Sequence, residues 1–491
     1  MHYNSVPVDI AAEASYSGLM SADNPGPSFT EQLIERCDNT VGMATKQRAS
    51  LHLLDWLGCI LAGQATEAGQ SLRHYSQKYL PAGGVAFNAT GSSLNAHEAA
   101  FINGGLGNIL EMDDLHRQSL LHTGDTVLPA ALAVAQEVSA TMEQLLEAIV
   151  KGYEVAIQVG LIASSGGYSA WYNSSTCGVF GAGMAASVLL ELSENEMLDA
   201  LGQCGMTASG LWQCRLEHSM SKQLATAGAS RSGVMAAMLA SQNFPAPRRI
   251  LEGELGFFRT LYPSVASASL APVNIRLWQI DDVSFKPWPA CRHTHPVIEA
   301  ALTLASKIDV NDIASIEIGS YRSGIDFCDN ADPTSEHEAR FSLQYCVASA
   351  LLRGSPMVAH FDEAARKDAK VCTLIDVSCV VEDADLQQAF PALLGGRVAV
   401  RLGDGQVLNE TVTSALGDPE NPMSVENICD KFSTLANDAG VHRGTSNTVR
   451  SLLTDPNRIH PLSALNKELN TIENQLEEYR HAPRHATAHS S

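Results

Sequence analysis

The sequence lacks any uninterrupted apolar run that approaches the roughly 18 residues of a transmembrane helix, so we expect no membrane span. It also lacks a Walker A loop, a Gly-rich dinucleotide turn after a strand, a G-x-S-x-G elbow and an H-E-x-x-H pair. The chain therefore does not belong to the classes of nucleotide-binding proteins, α/β-hydrolases and zinc peptidases that carry these motifs. The function must therefore be sought in polar clusters that no simple motif describes.

Basic residues are scarce: 32 Lys and Arg stand against 54 Asp and Glu, which gives a net charge of −22. This balance opposes nucleic acid and anionic membranes as partners. The first Lys or Arg is Arg36, so a secretory signal and an Arg-rich transit peptide are not indicated. We therefore expect a cytoplasmic protein.

Paired cysteines are also missing. The 11 cysteines form no C-x-x-C pair, and the two nearest in the sequence are Cys372 and Cys379. An odd number at irregular spacing favours free thiols in a reducing compartment over a disulfide framework. The 16 histidines and the cysteines show no paired ligand spacing, so we expect no metal.

What the chain does contain is an ordinary globular composition, with 45% hydrophobic and 18% charged residues over 491 positions. Such a chain buries a large core and is long enough for two or three domains.

Residues 111–130 carry the densest polar cluster, EMDDLHRQSLLHTGDTVLPA. They connect two predicted helices, one over 95–110 and one that starts at Val127 with Pro129 in its first turn. Two structural alternatives stay open: aspartates that cap the second helix, and histidines that are merely buried and satisfied. A metal site is a third alternative, although no further ligand spacing supports it. Within twelve residues the cluster holds Glu111, Asp113, Asp114, His116, Arg117 and His122.

Three other segments carry polar groups in unusual settings. The loop 164–177 includes Trp171 and Tyr172 at a predicted helix entry. Lys222 is the only lysine between Lys151 and Lys286 and is surrounded by Ala, Gly and Ser. The connector 284–296, SFKPWPACRHTHP, gathers cationic and thiol groups. Solvated surface is the alternative interpretation for the lysine and for this connector.

The composition changes after Pro263, where short β-like segments begin. We predict strands at NIRLWQI, SIEIGSY, VSCVVED and GRVAVRL, with helices between them. The predicted organisation is a loose arm (1–27), a helical domain (28–279), an α+β lid domain (280–416), a helical return to the first domain (417–480) and a disordered tail (481–491).

Seven stretches together resemble the MmgE/PrpD family, which includes 2-methylcitrate dehydratases, cis-aconitate decarboxylases and an iminodisuccinate epimerase. They occur in the family's order, from about Arg48 to Tyr345. The resemblance implies a mainly α fold, with a large all-helical domain built from both chain ends and a smaller inserted α+β lid. It also implies a homodimer, no metal and no organic cofactor. The stretches are LLDWLGCILAG, EMDDLHRQSLLHTGDTVLP, WYNSSTCGVFGA, MSKQLATAGASRSG, RRILEGELGFF, FKPWPACRHTHP and SEHEARFSLQY.

The resemblance also implies a pocket between the domains. Tyr172 stands where the family usually carries a histidine, and Cys291 stands where some decarboxylases carry one. From the motif we predict the catalytic residues His122, Tyr172, Lys222, His116 and Asp114. The predicted substrate-binding residues are Glu111, Lys286, Cys291, Arg292 and His295.

The expected function is a cofactor-independent lyase acting on a small di- or tricarboxylate that is citrate-, 2-methylcitrate- or aconitate-like. Dehydration is preferred over decarboxylation. The enzymatic alternative is an epimerase of an amino- or imino-dicarboxylate that exchanges a proton between two bases. From another class, the chain could be a non-catalytic homologue that binds polycarboxylates.

Overall fold

The computed structural model describes residues 27–217, 219–265, 270–272 and 278–481. The predicted N-terminal arm and C-terminal tail lie almost wholly outside these residues. The predicted strand at 274–280 is described only from Trp278 onward, where Gln279–Asp282 forms a 3₁₀ helix. No helix in the described ranges combines the length and apolar character that crossing a membrane requires.

The first part of the chain is helical. It begins with a capping box, as the spacing of Ser28 and Glu31 predicts: the Glu31 amide donates to Ser28 Oγ at 3.2 Å, and the Ser28 amide donates to Glu31 Oε2 at 2.7 Å. The helices are α1 (Phe29–Cys37), α2 (Met43–Gly63), α3 (Glu67–Tyr79), α4 (Ala96–Leu106), α5 (Gly124–Glu137), α6 (Met142–Ala163), α7 (Asn173–Thr176), α8 (Gly178–Leu189), α9 (Glu194–Thr207), α10 (Gln213–Leu216), α11 (Ser221–Ala240) and α12 (Phe257–Leu261).

Small residues let these helices pack closely, as the Gly- and Ala-rich sequence suggests. At the crossing of α6 and α8, a Cβ on Gly152 would lie 2.8 Å from the Gly181 carbonyl oxygen. Any larger side chain there would force the two helices apart. The core around them contains many fully buried alanines of α4, α5 and α8.

Helix α5 begins earlier than predicted. It starts at Gly124, so Pro129 is inside the helix and not in its first turn. The first turn is set by the connector: the Gly124 amide donates to Asp114 Oδ1 at 2.9 Å, and the Val127 amide donates to the Thr123 carbonyl at 3.1 Å. The Asp114 side chain of the preceding connector therefore accepts from a backbone amide at the N-terminus of this helix. Hydrophobic periodicity alone does not locate that N-terminus.

The second part mixes helices with a sheet in the order β2-β1-β3-β4, in which β1 and β2 are parallel and the other pairs antiparallel. Three of its strands confirm predicted ones. The exposed edge strand β4, VLNETV, was not predicted, because its Asn and Glu disfavour strands. The elements are α13 (His295–Ala305), β1 (Ile313–Ser320), α14 (Arg322–Cys328), α15 (Glu336–Arg340), α16 (Leu343–Arg353), α17 (Glu363–Arg366), α18 (Ala369–Asp376), β2 (Ser378–Glu382), α19 (Ala384–Ala389), β3 (Gly396–Leu402) and β4 (Val407–Val412).

The chain then returns to the first helices with α20 (Val425–Asp438), α21 (Arg443–Thr454) and α22 (Leu462–His481). Helix α20 packs on α2 so closely that a Cβ on Gly58 would lie 3.2 Å from Phe432 Cα. Side chains of α20 to α22 join the same hydrophobic core as those of α2 and α5. The mainly α fold class is thus confirmed, while the predicted domain boundaries stay a proposal.

A buried ion pair fastens this return to the polar connector. Lys431 Nζ of α20 lies 2.7 Å from Asp55 Oδ1 of α2 and donates to the Met112 carbonyl at 2.6 Å. Both side chains are at least 96% buried. Asp55 of the second helix is therefore paired with a lysine from the far end of the chain.

We expect Lys431→Met to lower the free energy of unfolding by about 3–5 kcal/mol, because it leaves the Asp55 carboxylate buried without its cation. The control is Arg450→Met, which breaks an exposed pair with Glu426 and should cost less than about 1 kcal/mol. Urea denaturation of both variants measures the difference. Equal losses would show that the buried pair does not fasten the return helices.

Candidate active site

The connector between α4 and α5 is fixed by backbone bonds and by two left-handed residues. Glu111 and Leu120 have φ values of 55° and 57°, which residues other than glycine seldom adopt. Leu115 and Ser284 exchange both backbone hydrogen bonds, at 3.0 and 2.8 Å. The first polar connector is therefore held directly against the second, the one at 284–296.

Two lysines hold the buried carboxylate of Glu111. Lys222 Nζ, from the first turn of α11, binds Glu111 Oε1. Lys286 Nζ lies 3.5 Å from Glu111 Oε2 and donates to the Glu111 carbonyl at 3.3 Å. Burial alone would raise the pKa of Glu111, but the two ammonium groups lower it to about 2. This carboxylate is ionised at neutral pH.

Asp113 holds His122. Its Oδ2 lies 2.5 Å from His122 Nδ1, and its Oδ1 accepts from Asn108 Nδ2 at 2.6 Å and lies 3.4 Å from Lys286 Nζ. Burial opposes ionisation of Asp113, but His122 and Lys286 hold its pKa well below the usual range. Burial is also the largest effect on His122 and lowers its pKa, although the Asp113 carboxylate opposes this.

His122 is consequently a neutral imidazole that donates from Nδ1 to Asp113. Within the described residues, Nε2 has no hydrogen-bond partner, and 12% of the side chain is exposed to the cleft. A neutral imidazole with a fixed tautomer and a free Nε2 is the form of histidine that accepts a proton.

The cleft above these groups is narrow, with a cavity volume of about 40 Å³. Polar groups form its floor, and aromatic rings form much of its wall. The lining residues are Glu111, Leu115, Arg117, Leu120, His122, Tyr168, Trp212, Lys222, Cys291, Arg292, His293, Phe327, Phe341 and Leu394.

The structure brings most of the predicted site residues together. Glu111, His122, Lys222, Cys291 and Arg292 line the cleft, and Lys286 lies buried beneath Glu111.

Arg292 is also tied to the returning chain. Its Nη2 lies 2.5 Å from Asp418 Oδ1, and its guanidinium donates to the Ala415 and Leu416 carbonyls at 3.3 and 3.4 Å. Asp418 also lies 3.5 Å from Arg117 Nε. This carboxylate therefore positions two guanidinium groups at the edge of the cleft.

Asp114 does not line the cleft. It binds three donors on its other side: His52 Nδ1 at 2.7 Å, Tyr153 OH at 2.6 Å and the Gly124 amide. The sequence predicts Asp114 as a catalytic residue, but the carboxylate that orients His122 is its neighbour Asp113. The sequence had indicated Asp113 only as a helix cap.

His116 and His295 also lie outside the cleft lining. His116 Nδ1 bonds to Ser119 Oγ at 2.8 Å, and its Nε2 lies 3.5 Å from Asp282. His295 Nε2 bonds to the Ala290 carbonyl at 3.0 Å, and its Nδ1 faces Arg292 at 3.2 Å. In this arrangement both rings support the backbone and side chains around the site.

Tyr172 lies behind the aromatic wall. Its ring centroid is 4.6 Å from that of Trp212, and only 1% of the residue is exposed. Its hydroxyl has no hydrogen-bond partner in the described part of the chain. Burial raises the pKa of this phenol well above its usual value, although Ser174 opposes this, and carboxylates such as Asp113 raise it further. The lowering by Lys222 that a tyrosine base would need is not found.

Sequence reasoning missed two further polar residues of the cleft. Tyr168 OH lies 3.2 Å from His293 Nε2, and His293 Nδ1 bonds to Tyr321 OH. Burial, with nearby cations such as Lys286, lowers the pKa of His293 to about 3, so this ring is neutral. His293 belongs to the cationic connector and Tyr168 to the loop 164–177, but nothing in the sequence pairs them.

Glu111, Asp113 and His122 also bring three metal-ligand atoms within 4.8 Å of one another. Both carboxylates are already bound by ammonium groups. A divalent cation would have to displace a lysine, so proximity alone does not assign a metal here.

Comparisons with known proteins agree with the resemblance. The MmgE/PrpD N-terminal domain matches residues 38–267, and the MmgE/PrpD C-terminal domain matches residues 288–451. A "Cis-aconitate decarboxylase-like protein oryM" of Aspergillus oryzae is 24% identical over 86% of this chain and 93% of its own length. The "Cis-aconitate decarboxylase" of Homo sapiens is 26% identical over 79% of this chain and 82% of its own length. A "2-methylcitrate dehydratase-like protein oryR" of Aspergillus oryzae is 24% identical over 78% of this chain and 83% of its own length. The chain belongs to the MmgE/PrpD family.

Proposed function

We propose that this protein is a cofactor-independent lyase acting on a small polycarboxylate, with His122 as the general base. The observation that carries the proposal is the free Nε2 of His122 at the cleft, beside the ammonium group of Lys222. Removing a proton next to a carboxylate builds negative charge on the substrate, and a fixed cation in a buried site stabilises it.

The cleft suits an anionic substrate although the whole chain is acidic. Lys222 and Arg292 reach it, and burial has removed much of the water that would otherwise screen them. Burial alone would lower the pKa of Lys222, but Glu111 and Asp113 raise it, so this lysine stays charged. The relatives named above suggest the substrate class, since two are named for cis-aconitate and one for 2-methylcitrate.

Dehydration fits the resting state of His122. In that reaction Nε2 takes the proton from carbon, the electron pair forms the double bond, and the hydroxyl leaves as water after it is protonated. The base starts neutral, which is the state that burial favours for His122. Tyr172, whose raised pKa keeps it protonated, is the proposed donor to the hydroxyl. A water must bridge the distance to it, because Tyr172 does not line the cleft.

Decarboxylation is the second candidate, because the relatives are mostly named as decarboxylases. There the bond to CO2 breaks, the electron pair passes to the adjacent unsaturated carbon system, and a proton must be delivered to carbon. If His122 delivered it, the ring would have to be protonated first, against its lowered pKa.

Epimerisation would need a base on each face of the substrate. Tyr172 was the sequence candidate for the second base, and its raised pKa opposes that role.

The deciding experiment is ¹H NMR in D2O with 2-methylcitrate, citrate, cis-aconitate and iminodisuccinate. New vinyl signals from the hydroxy acids would support dehydration, and loss of one carboxylate from cis-aconitate would identify a decarboxylase. Exchange of the α-proton with an unchanged skeleton would indicate an epimerase. Tight binding of any of the four without turnover would overturn the proposed lyase and favour the non-catalytic alternative.

His122→Ala and Lys222→Ala should each lower kcat/KM by about 100-fold or more, on the order of 3 kcal/mol of transition-state stabilisation. His116→Gln is the comparison variant, since His116 lies outside the cleft, and it should lose less than about 10-fold. Steady-state kinetics on the substrate found by NMR measures all three. A His116 variant as slow as the His122 variant would move the base to His116, as the motif also allowed.

Tyr172→Phe deletes one hydroxyl and keeps the ring against Trp212. Because this hydroxyl is buried and unpartnered, its loss should leave the melting temperature unchanged or higher. We expect kcat to fall about 100-fold with KM nearly unchanged. A Phe variant as fast as wild type would show that Tyr172 only fills space.

We also propose a homodimer that packs through helix α11. One side of this helix exposes Leu224, Met235 and Leu239 by 58%, 42% and 41%, and Gly228 lies on the same side with nothing within 4 Å of an added Cβ. A narrow apolar stripe flanked by small residues suits self-packing of two helices. Because Lys222 is on α11, such a contact would also steady the site.

The double variant Leu224→Glu/Met235→Glu should convert the dimer to a monomer, because it places like charges at the centre of the stripe. Light scattering after gel filtration measures the mass. Met357→Glu, at a 54% exposed position in the second part of the chain, is the control and should stay dimeric. A wild-type protein that is monomeric at micromolar concentration would contradict the proposal.

A further inference from the structure

The side chain of Asp125 is buried near the site, but the proposed reaction does not use it. It is the second residue of α5 and is 0% exposed. Neither of its oxygens has a hydrogen-bond donor in the described residues, and it enters none of the ion pairs found there. An ionised carboxylate in such a place would lack both water and a cation, which folded proteins avoid by keeping the group protonated.

The space around Asp125 is tight and polar. A Cβ on Gly107 would lie 2.1 Å from Asp125 Oδ1 and 2.8 Å from Trp56 Nε1, so glycine at this position keeps the carboxyl and the indole in place. The Trp56 indole N–H is itself buried without a partner. The charged groups that face Asp125 are the carboxylates of Asp113 and Asp114 and, more weakly, the ammonium group of Lys222.

The balance of charge leaves no cation for Asp125. Glu111 and Asp113 are matched by the ammonium groups of Lys222 and Lys286. Asp114 accepts three hydrogen bonds from neutral donors. Asp125 has neither kind of support. Burial raises its pKa well above the usual range, and the neighbouring carboxylate of Asp113 raises it further.

We infer that Asp125 is a neutral carboxylic acid that donates its proton to Asp113 and is thereby a positioning residue for His122. Asp113 then accepts on one side from Asp125 and on the other from His122 Nδ1. A carboxylate shared between two donors attracts the imidazolium form of His122 less, so the ring stays neutral and ready to take a proton. The inference rests on the proposed role of His122 as the base.

The first test asks whether the acid is protonated. Infrared difference spectra at pH 7 between wild type and Asp125→Asn should show the loss of one band of a protonated carboxyl group. Asp114→Asn is the matched control and should remove a carboxylate band instead, because its three donors hold the pKa of Asp114 below the usual value. Loss of a carboxylate band in Asp125→Asn would overturn the inference.

A second readout is stability against pH. In the unfolded chain Asp125 ionises near a pKa of about 3.9, whereas the folded value is well above it. Its contribution to stability is therefore fully present below about pH 4 and is lost as the pH rises through the folded pKa. The asparagine variant does not titrate there, so its melting temperature relative to wild type should increase between pH 5 and pH 8. For Asp114→Asn the difference should stay constant over that range. A constant difference for Asp125→Asn, or an asparagine variant that does not fold, would contradict a neutral acid.

The third test measures the effect on His122 by NMR titration of its ring, assigned with His122→Gln. Asp125→Asn keeps a donor to Asp113 and should leave the pKa of His122 within a few tenths of the wild-type value. Asp125→Leu removes the donor and should raise that pKa by about 1. An unmoved pKa in Asp125→Leu would overturn the positioning role. None of these measurements uses substrate, so a wrong proposed reaction and a wrong role for Asp125 give separate failures.

Discussion

The buried ionic cluster of Glu111, Asp113, Lys222 and Lys286 is the interaction on which the rest of the site depends. Two carboxylates and two ammonium groups lie almost completely out of water, and each would be costly to bury alone. The four residues come from three distant segments: the first connector, the start of α11, and the second connector. The helical part and the second part of the chain must therefore be in contact before the charges are matched.

The same cluster explains why the histidine beside it is neutral. Two fixed ammonium groups and burial oppose a third positive charge, while Asp113 fixes the tautomer through Nδ1. The scaffold supports this arrangement from behind. Lys431 holds the Met112 carbonyl between the two carboxylates, and Asp418 holds two guanidinium groups at the cleft edge. The C-terminal helices thus contribute no reacting group, yet they set the geometry of the groups that react.

Much of this architecture was accessible from the sequence, because it depends on local patterns. Helix periodicity, the capping box at Ser28 and three of the strands are properties of short segments. The seven stretches that resemble the family also contain most of the cleft-lining residues. What the sequence did not determine is which carboxylate faces which partner. Asp113 and Asp114 are adjacent, yet the first contacts His122 and the second contacts His52.

Three aspartates near one another therefore occupy three different states, and the sequence letters do not distinguish them. Asp113 is ionised because cations and an imidazole N–H surround it, and Asp114 is ionised because three neutral donors point at it. Asp125 has neither, and the charged group that affects its pKa most is another carboxylate, that of Asp113. Protonation is decided by contacts across the fold, between segments up to about 170 residues apart such as Lys286 and Asp113. A substitution that moves any one of these partners will consequently change how many protons the cluster binds, even where it leaves the cleft-lining residues in place.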